Sequence, residues 1–196
     1  MMTDIILASK SPYRKELLSR LIDNFKCVDS NYDESSLKKQ IKDPIELSRQ
    51  LSYQKAVAVQ RKSPKSLIIG SDQVCVFNKE VLSKTGDLEL SKEQLLKLQG
   101  KTHQLITSYV ILYENTNITR TVITELTMRV LSENQVKKYL ITDNPIDCAG
   151  SYKLEMKGIS LFKYIKTEDY TSIIGLPLIT LGSDLIKLGV CIPPKA

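Results

Sequence analysis

Two periods alternate along the 196-residue chain, one strand-like and one helical. A short apolar run at 5–8 predicts a buried first strand. Ser11-Pro12 then marks a helix start, with Ser11 as N-cap and Pro12 at the first helical position. Leu17, Leu18, Leu21 and Ile22 recur at helical spacing and form its buried face. Residues 25–28 predict a second strand, and 29–36 an acidic loop. Asp43-Pro44-Ile45-Glu46 repeats the start signal, a cap, a proline and an acid three residues on, for a helix to residue 62. Residues 67–76 are a strongly apolar strand interrupted by Ser71-Asp72-Gln73, and Phe77-Asn78-Lys79 turns it into a hairpin with 80–82.

The pattern then changes. Ser91-Lys92-Glu93-Gln94 opens a helix that stops at Gly100. Residues 103–113 and 118–130 are long and rich in β-branched and aromatic side chains, and Asn115-Thr116-Asn117 separates them, so they predict an antiparallel pair. Ser132 caps a further helix, with Gln135 completing the box. After a loop over 145–150 come apolar segments at 159–164 and 173–188, the second a helix from Pro177 ended by Gly189. Early alternation of strands and helices followed by a long hairpin predicts an α/β protein with a mixed sheet. No repeat, low-complexity tract or Gly/Pro/Ser linker divides the chain, so one domain over 1–196 is expected.

Composition narrows the function classes. A 42% hydrophobic content with 26% charge is that of a folded protein. No apolar run approaches the roughly 20 residues that cross a bilayer. The start reads as a first strand rather than a secretory signal, which favours the cytoplasm and no membrane. Cys27, Cys75, Cys148 and Cys191 lie far apart among mostly apolar neighbours and predict buried free thiols rather than zinc ligands or disulfides. The net charge of +6 comes from lysines scattered among acids, without a basic run or an Arg-aromatic platform. Stable nucleic-acid binding is therefore not expected, whereas an anionic small molecule such as a nucleotide needs only a few of these lysines.

Two places carry candidate chemistry. At Ser9-Lys10-Ser11-Pro12-Tyr13-Arg14 a strand runs into a helix N-terminus, where free N–H groups, hydroxyls and two cations could cradle a phosphate. On spacing alone, an ordinary capped helix comes first. Asp72 is a carboxylate inside an apolar strand, costly to bury unless it is paired or binds a metal. It is either a local turn residue or a functional group, and Gly70 beside it permits a close approach. Asp33-Glu34, Lys55, Lys84 and Glu155 read singly as solvated positions. His103, the one histidine, has no nucleophile-elbow partner and reads as a strand-start residue bonded locally.

Taken together, these segments resemble the Maf family of septum-formation-inhibitor-like nucleotide pyrophosphatases. The resemblance runs through Leu7-Ala8-Ser9-Lys10-Ser11-Pro12-Tyr13-Arg14, Asp33-Glu34, Lys55-Ala56, Gly70-Ser71-Asp72, Lys84, Gly100 with His103, Ala149-Gly150-Ser151-Tyr152 and Gly175-Leu176-Pro177-Leu178. It implies a Maf/ITPase-like fold: an elongated twisted mixed sheet flanked by helices, in two lobes with a central cleft. Gly70 to Val76, Cys148 to Ser151 and Gly158 to Phe162 look like the 7-methyl-GTP pyrophosphatase branch. The alternatives are the branch acting on dTTP and UTP, or a non-catalytic cell-division regulator or nucleic-acid binder. The resemblance implies Asp72 as proton acceptor; Ser9, Ser11, Arg14, Lys55 and Lys84 on the triphosphate; and Tyr13, Gln73 and Glu155 in choosing the base. It also implies a divalent cation, magnesium or manganese, on Glu34 and Asp72, and a homodimer.

Overall fold

The computed structural model describes residues 4–193. Its strands are β1 (Ile5–Leu7), β2 (Lys26–Cys27), β3 (Leu67–Phe77), β4 (Glu80–Leu82), β5 (Thr102–Tyr113), β6 (Thr116–Met128) and β7 (Phe162–Lys166). Its helices are α1 (Pro12–Ser19), α2 (Ser35–Gln40), α3 (Pro44–Gln60), α4 (Leu88–Leu98), α5 (Glu133–Asp143) and α6 (Leu178–Lys187). Short 3-10 turns occupy Lys157–Leu161 and Tyr170–Ile173. The strand order is β2-β1-β3-β5-β6-β7, with β4 on β3. β1 runs parallel to β2 and β3, while β3–β4 and β6–β7 are antiparallel, so the sheet is mixed as the pattern predicts.

Helix starts follow local chemistry where a short polar side chain caps free N–H groups. Ser11 accepts from Arg14 N, Asp43 from Glu46 N, and Ser132 with Gln135 forms a reciprocal box. Helix α4 starts earlier than expected. Asp87 is the cap, accepting from the N–H groups of Glu89 and Leu90, and Ser91 is instead a buried helical residue whose hydroxyl lies 2.6 Å from Thr85 Oγ1. α2 replaces part of the expected acidic loop. The strand expected at 25–28 shrinks to two residues, and Pro177 sits at the N-cap of α6 rather than inside it.

The chain forms two compact units. The first comprises 1–72, 107–122 and 169–196; the second comprises 73–106 and 123–168. In the first, Ile5, Leu7, Leu17, Leu18, Leu67 and Ile69 pack with Tyr109, Ile111, Leu181 and Leu185, so α1 and α6 cover one side of the strands. Ile6, Ala8, Ala56, Val59, Ile68 and Val110 form another cluster, which seats α3. Alternate β1 and β3 residues thus face different helices, the signature of a sheet covered on both sides. In the second unit α4 and α5 pack together, and Leu95, Leu98, Val136 and Leu140 are buried.

Two further expectations need correction. Cys75 is buried and Cys148 half-buried, but Cys27 and Cys191 are exposed, because β2 and the C-terminal segment bury few of their own side chains. His103 does not bond locally. Its Nε2 pairs with Tyr152 Oη at 2.8 Å, within a nest of aromatic rings completed by Phe162.

Candidate active site

The polar trio predicted to interrupt β3 does not. The strand is continuous, with Ser71 fully buried and Asp72 7% exposed. It can be so because other segments satisfy its polar groups. Ser71 Oγ shares its one proton between Ser108 O at 2.8 Å and Gly175 O at 3.1 Å. Ser48 Oγ donates to the backbone oxygen of Asp72 at 3.2 Å, and Ser52 Oγ donates to Ser48 O and Ser108 O at 2.7 and 3.0 Å. Gly70 lets α3 lie this close: a Cβ there would stand 2.2 Å from Ser52 O and 2.9 Å from the Ala56 methyl.

Helix α3 brings one more group on that face. Ser48, Ser52 and Lys55 are spaced by four and three residues, so they lie in a row along the helix. Lys55 Nζ is 2.6 Å from Asp72 Oδ1 and 2.7 Å from Glu34 Oε1. Glu34 precedes α2, and its other oxygen pairs with Lys38 at 2.5 Å. Burial pushes the Glu34 carboxyl upward, but Lys55 and Lys38 together outweigh it and hold the group down to about 2. Asp33, the other half of the acidic pair, is exposed and bonds Ser35.

On the β1–α1 turn, Ser9 Oγ accepts from Ser11 N at 3.1 Å and Ser11 Oγ from Arg14 N at 3.4 Å. A hydroxyl used this way still has a proton to donate. Arg14 Nε donates to Gly175 O at 2.9 Å. Burial lowers the guanidinium pKa, opposed by the charges of Asp72 and Glu34. The first unit therefore gathers Arg14, Glu34, Lys55 and Asp72, with Ser9 and Ser11 on the turn leading to Arg14. Tyr13 is half-buried beside Arg14, and Lys10 instead pairs with Asp29. Gln73, Lys84 and Glu155 belong to the second unit, Gln73 half-buried and the other two exposed.

The cluster sets two cations, Arg14 and Lys55, against two carboxylates, Glu34 and Asp72. Among the described residues no group of three or more His, Cys, Asp and Glu side chains could hold a metal ion. Glu34 and Asp72 offer two carboxylates converging on one ammonium. That pair fits magnesium or manganese, which draws its remaining oxygen ligands from water and phosphate. Burial pushes the Cys75 and Cys148 thiols up to about 12, which disfavours these two as nucleophiles. Ser48, Ser52, Ser108 and Gly175 were not among the sequence candidates. The four-then-three spacing of Ser48, Ser52 and Lys55, on a helix also burying Leu47, Leu51 and Ala56, was the available signal.

Residues 4–188 match the family described as Maf-like protein. A 7-methyl-GTP pyrophosphatase of Pseudomonas putida is 42% identical over 98% of this chain and 100% of its own length. Proteins of the same name from Bdellovibrio bacteriovorus and Pseudomonas aeruginosa are 41% and 40% identical, over 92% and 98% of this chain and 95% and 100% of theirs. Among the described residues no helix is long and apolar enough to cross a membrane. With the motifs, the fold and nearly full-length similarity in agreement, the chain belongs to the Maf-like protein family.

Proposed function

We propose that this protein is a nucleoside-triphosphate pyrophosphatase that hydrolyses 7-methyl-GTP to 7-methyl-GMP and pyrophosphate, removing a modified nucleotide from the pool. The observation that carries the reading is the buried Asp72 carboxylate, 2.6 Å from Lys55 and within the field of Arg14. Relatives about 40% identical that bear the 7-methyl-GTP pyrophosphatase name supply the substrate.

In this reading Asp72 accepts the proton of the water that attacks the α-phosphorus. Arg14 and Lys55, with the Ser9 and Ser11 hydroxyls, neutralise and orient the triphosphate. Glu34 and Asp72, which share the Lys55 ammonium, would together hold the divalent cation. That cation, when bound, neutralises phosphate oxygens and the leaving pyrophosphate. Tyr13 offers an aromatic face to the cationic methylated base. The setting is the cytoplasm, with the whole chain acting as one catalytic domain and a homodimer as its assembly.

The test is pyrophosphate release across ordinary and methylated nucleotides, with and without magnesium or manganese. 7-Methyl-GTP is expected to lead dTTP and UTP in kcat/KM. The opposite ranking moves the protein to the other substrate branch, and no release from any nucleotide removes the enzymatic reading.

A further inference from the structure

The carbonyl oxygen of Gly175 receives two side chains from distant parts of the chain. Arg14 Nε reaches it at 2.9 Å from 161 residues away, and Ser71 Oγ at 3.1 Å from 104 residues away. Gly175 has φ of +124°, which side-chain-bearing residues rarely adopt, and a Cβ there would stand 3.4 Å from Arg14 Nε and 3.7 Å from its Cγ. An added methyl would thus meet the arginine only at ordinary van der Waals distance, and it is the positive φ that ties this position to glycine. Because the guanidinium is a rigid planar fork, fixing the Nε–H bond also fixes where its terminal N–H groups point. Ser71 immediately precedes Asp72 and also bonds Ser108 O, so the same oxygen ties the Arg14 fork to the backbone beside Asp72.

We propose that Gly175, with Ser71, is a positioning device for Arg14, setting its guanidinium in register with Asp72 so that its terminal donors meet a phosphate. The proposal rests on the phosphate-binding role of Arg14 given above. A merely structural role is the competing account, since Gly175 N also closes the turn before α6 on Thr171 O and Ser172 O. The two accounts differ in what they predict when Arg14 is changed.

The experiment is a double-mutant cycle on Gly175→Ala and Arg14→Lys. KM for 7-methyl-GTP, kcat and the affinity for inorganic pyrophosphate are measured, with thermal unfolding as the check on folding. Lysine keeps the charge but has neither Nε–H nor fork. Gly175→Ala is expected to raise KM and weaken pyrophosphate binding about tenfold, the scale of one lost charge-assisted hydrogen bond. In the Arg14→Lys background the same change should add less than about twofold. Equal effects in both backgrounds, or none in the parent, overturn the proposal while leaving the role of Arg14 intact. An Arg14→Lys protein that binds pyrophosphate as the parent does removes that role, and the proposal with it. Should Gly175→Ala fail to fold, Ser71→Ala takes its place. It is expected to weaken pyrophosphate binding in the parent but not in Arg14→Lys, and equal weakening in both overturns the proposal.

Discussion

Two buried aspartates in the same unit meet their cations in different ways. Asp184, on α6, is 2% exposed and accepts from Tyr109 Oη at 2.8 Å, from Arg120 Nε at 2.9 Å and Nη2 at 3.3 Å, and from Lys187 Nζ at 3.3 Å. Its bonds occupy both oxygens and fasten α6 to β5 and β6. Asp72 is almost as buried, yet its ion pair is a single ammonium that Glu34 shares. One carboxylate is saturated by donors whose geometry a ligand cannot improve. The other shares one lysine with a second carboxylate, Glu34. Burial is common to both, and the two differ in the count and sharing of their partners; in the proposed function it is Asp72 that accepts the proton.

The comparison is broken most directly by making the same substitution at both sites. Asp72→Asn is expected to lower turnover by roughly 100- to 10,000-fold, the range for a lost general base. Its unfolding midpoint should stay close to that of the parent. Asp184→Asn should do the reverse, costing about 2–4 kcal/mol in urea unfolding and leaving kcat per folded molecule near the parent value. An exchange of these outcomes between the two sites would refute the distinction.

A smaller effect tests burial without a partner charge. Burial pushes His103 down to about 4 from an ordinary 6.5, and among the described residues its Nδ1 has no hydrogen-bond partner. The unfolded chain takes up a proton near 6.5 while the folded protein does not until about 4. This group's contribution to stability is therefore lost as pH falls between those values, by about 3 kcal/mol in all. Urea unfolding of the parent and His103→Phe at pH 7 and pH 4.5 should show the pH dependence weakened in the variant. The smallest change is expected for Glu34→Gln, which should raise the magnesium concentration for half-maximal rate roughly tenfold. Glu34 is held at about 2, so its stabilising pairing is complete above about 4.5 and lost as pH falls from there toward 2. Acid limbs of activity above pH 5 should survive its substitution.

What the sequence made legible divides along the same line. Caps at Ser11, Asp43 and Ser132 are local chemistry and could be read directly. The start of α4 was misread because Ser91 also looks like a cap, although Asp87 holds that position. α2 carries no apolar period and buries none of its residues; Glu34, just ahead of it, is paired with Lys38 and Lys55. β3 seemed broken at Ser71-Asp72 because the partners that let those residues be buried come from Ser48, Ser108 and Gly175. Arg14, Lys55 and Asp72 could be named through resemblance, and the structure supplies the 2.6 Å Lys55–Asp72 pair and the bond of Arg14 to Gly175 O. Gly175 could be matched to a motif, but the use of its carbonyl oxygen emerges only in three dimensions.

The central claim is that this cluster directs water to the α-phosphorus of a nucleoside triphosphate. Hydrolysis of 7-methyl-GTP by the parent protein in ¹⁸O-labelled water tests it, with both products analysed by mass. One labelled oxygen is expected in 7-methyl-GMP and none in the pyrophosphate released. Label in the pyrophosphate, or release of orthophosphate in its place, would contradict it.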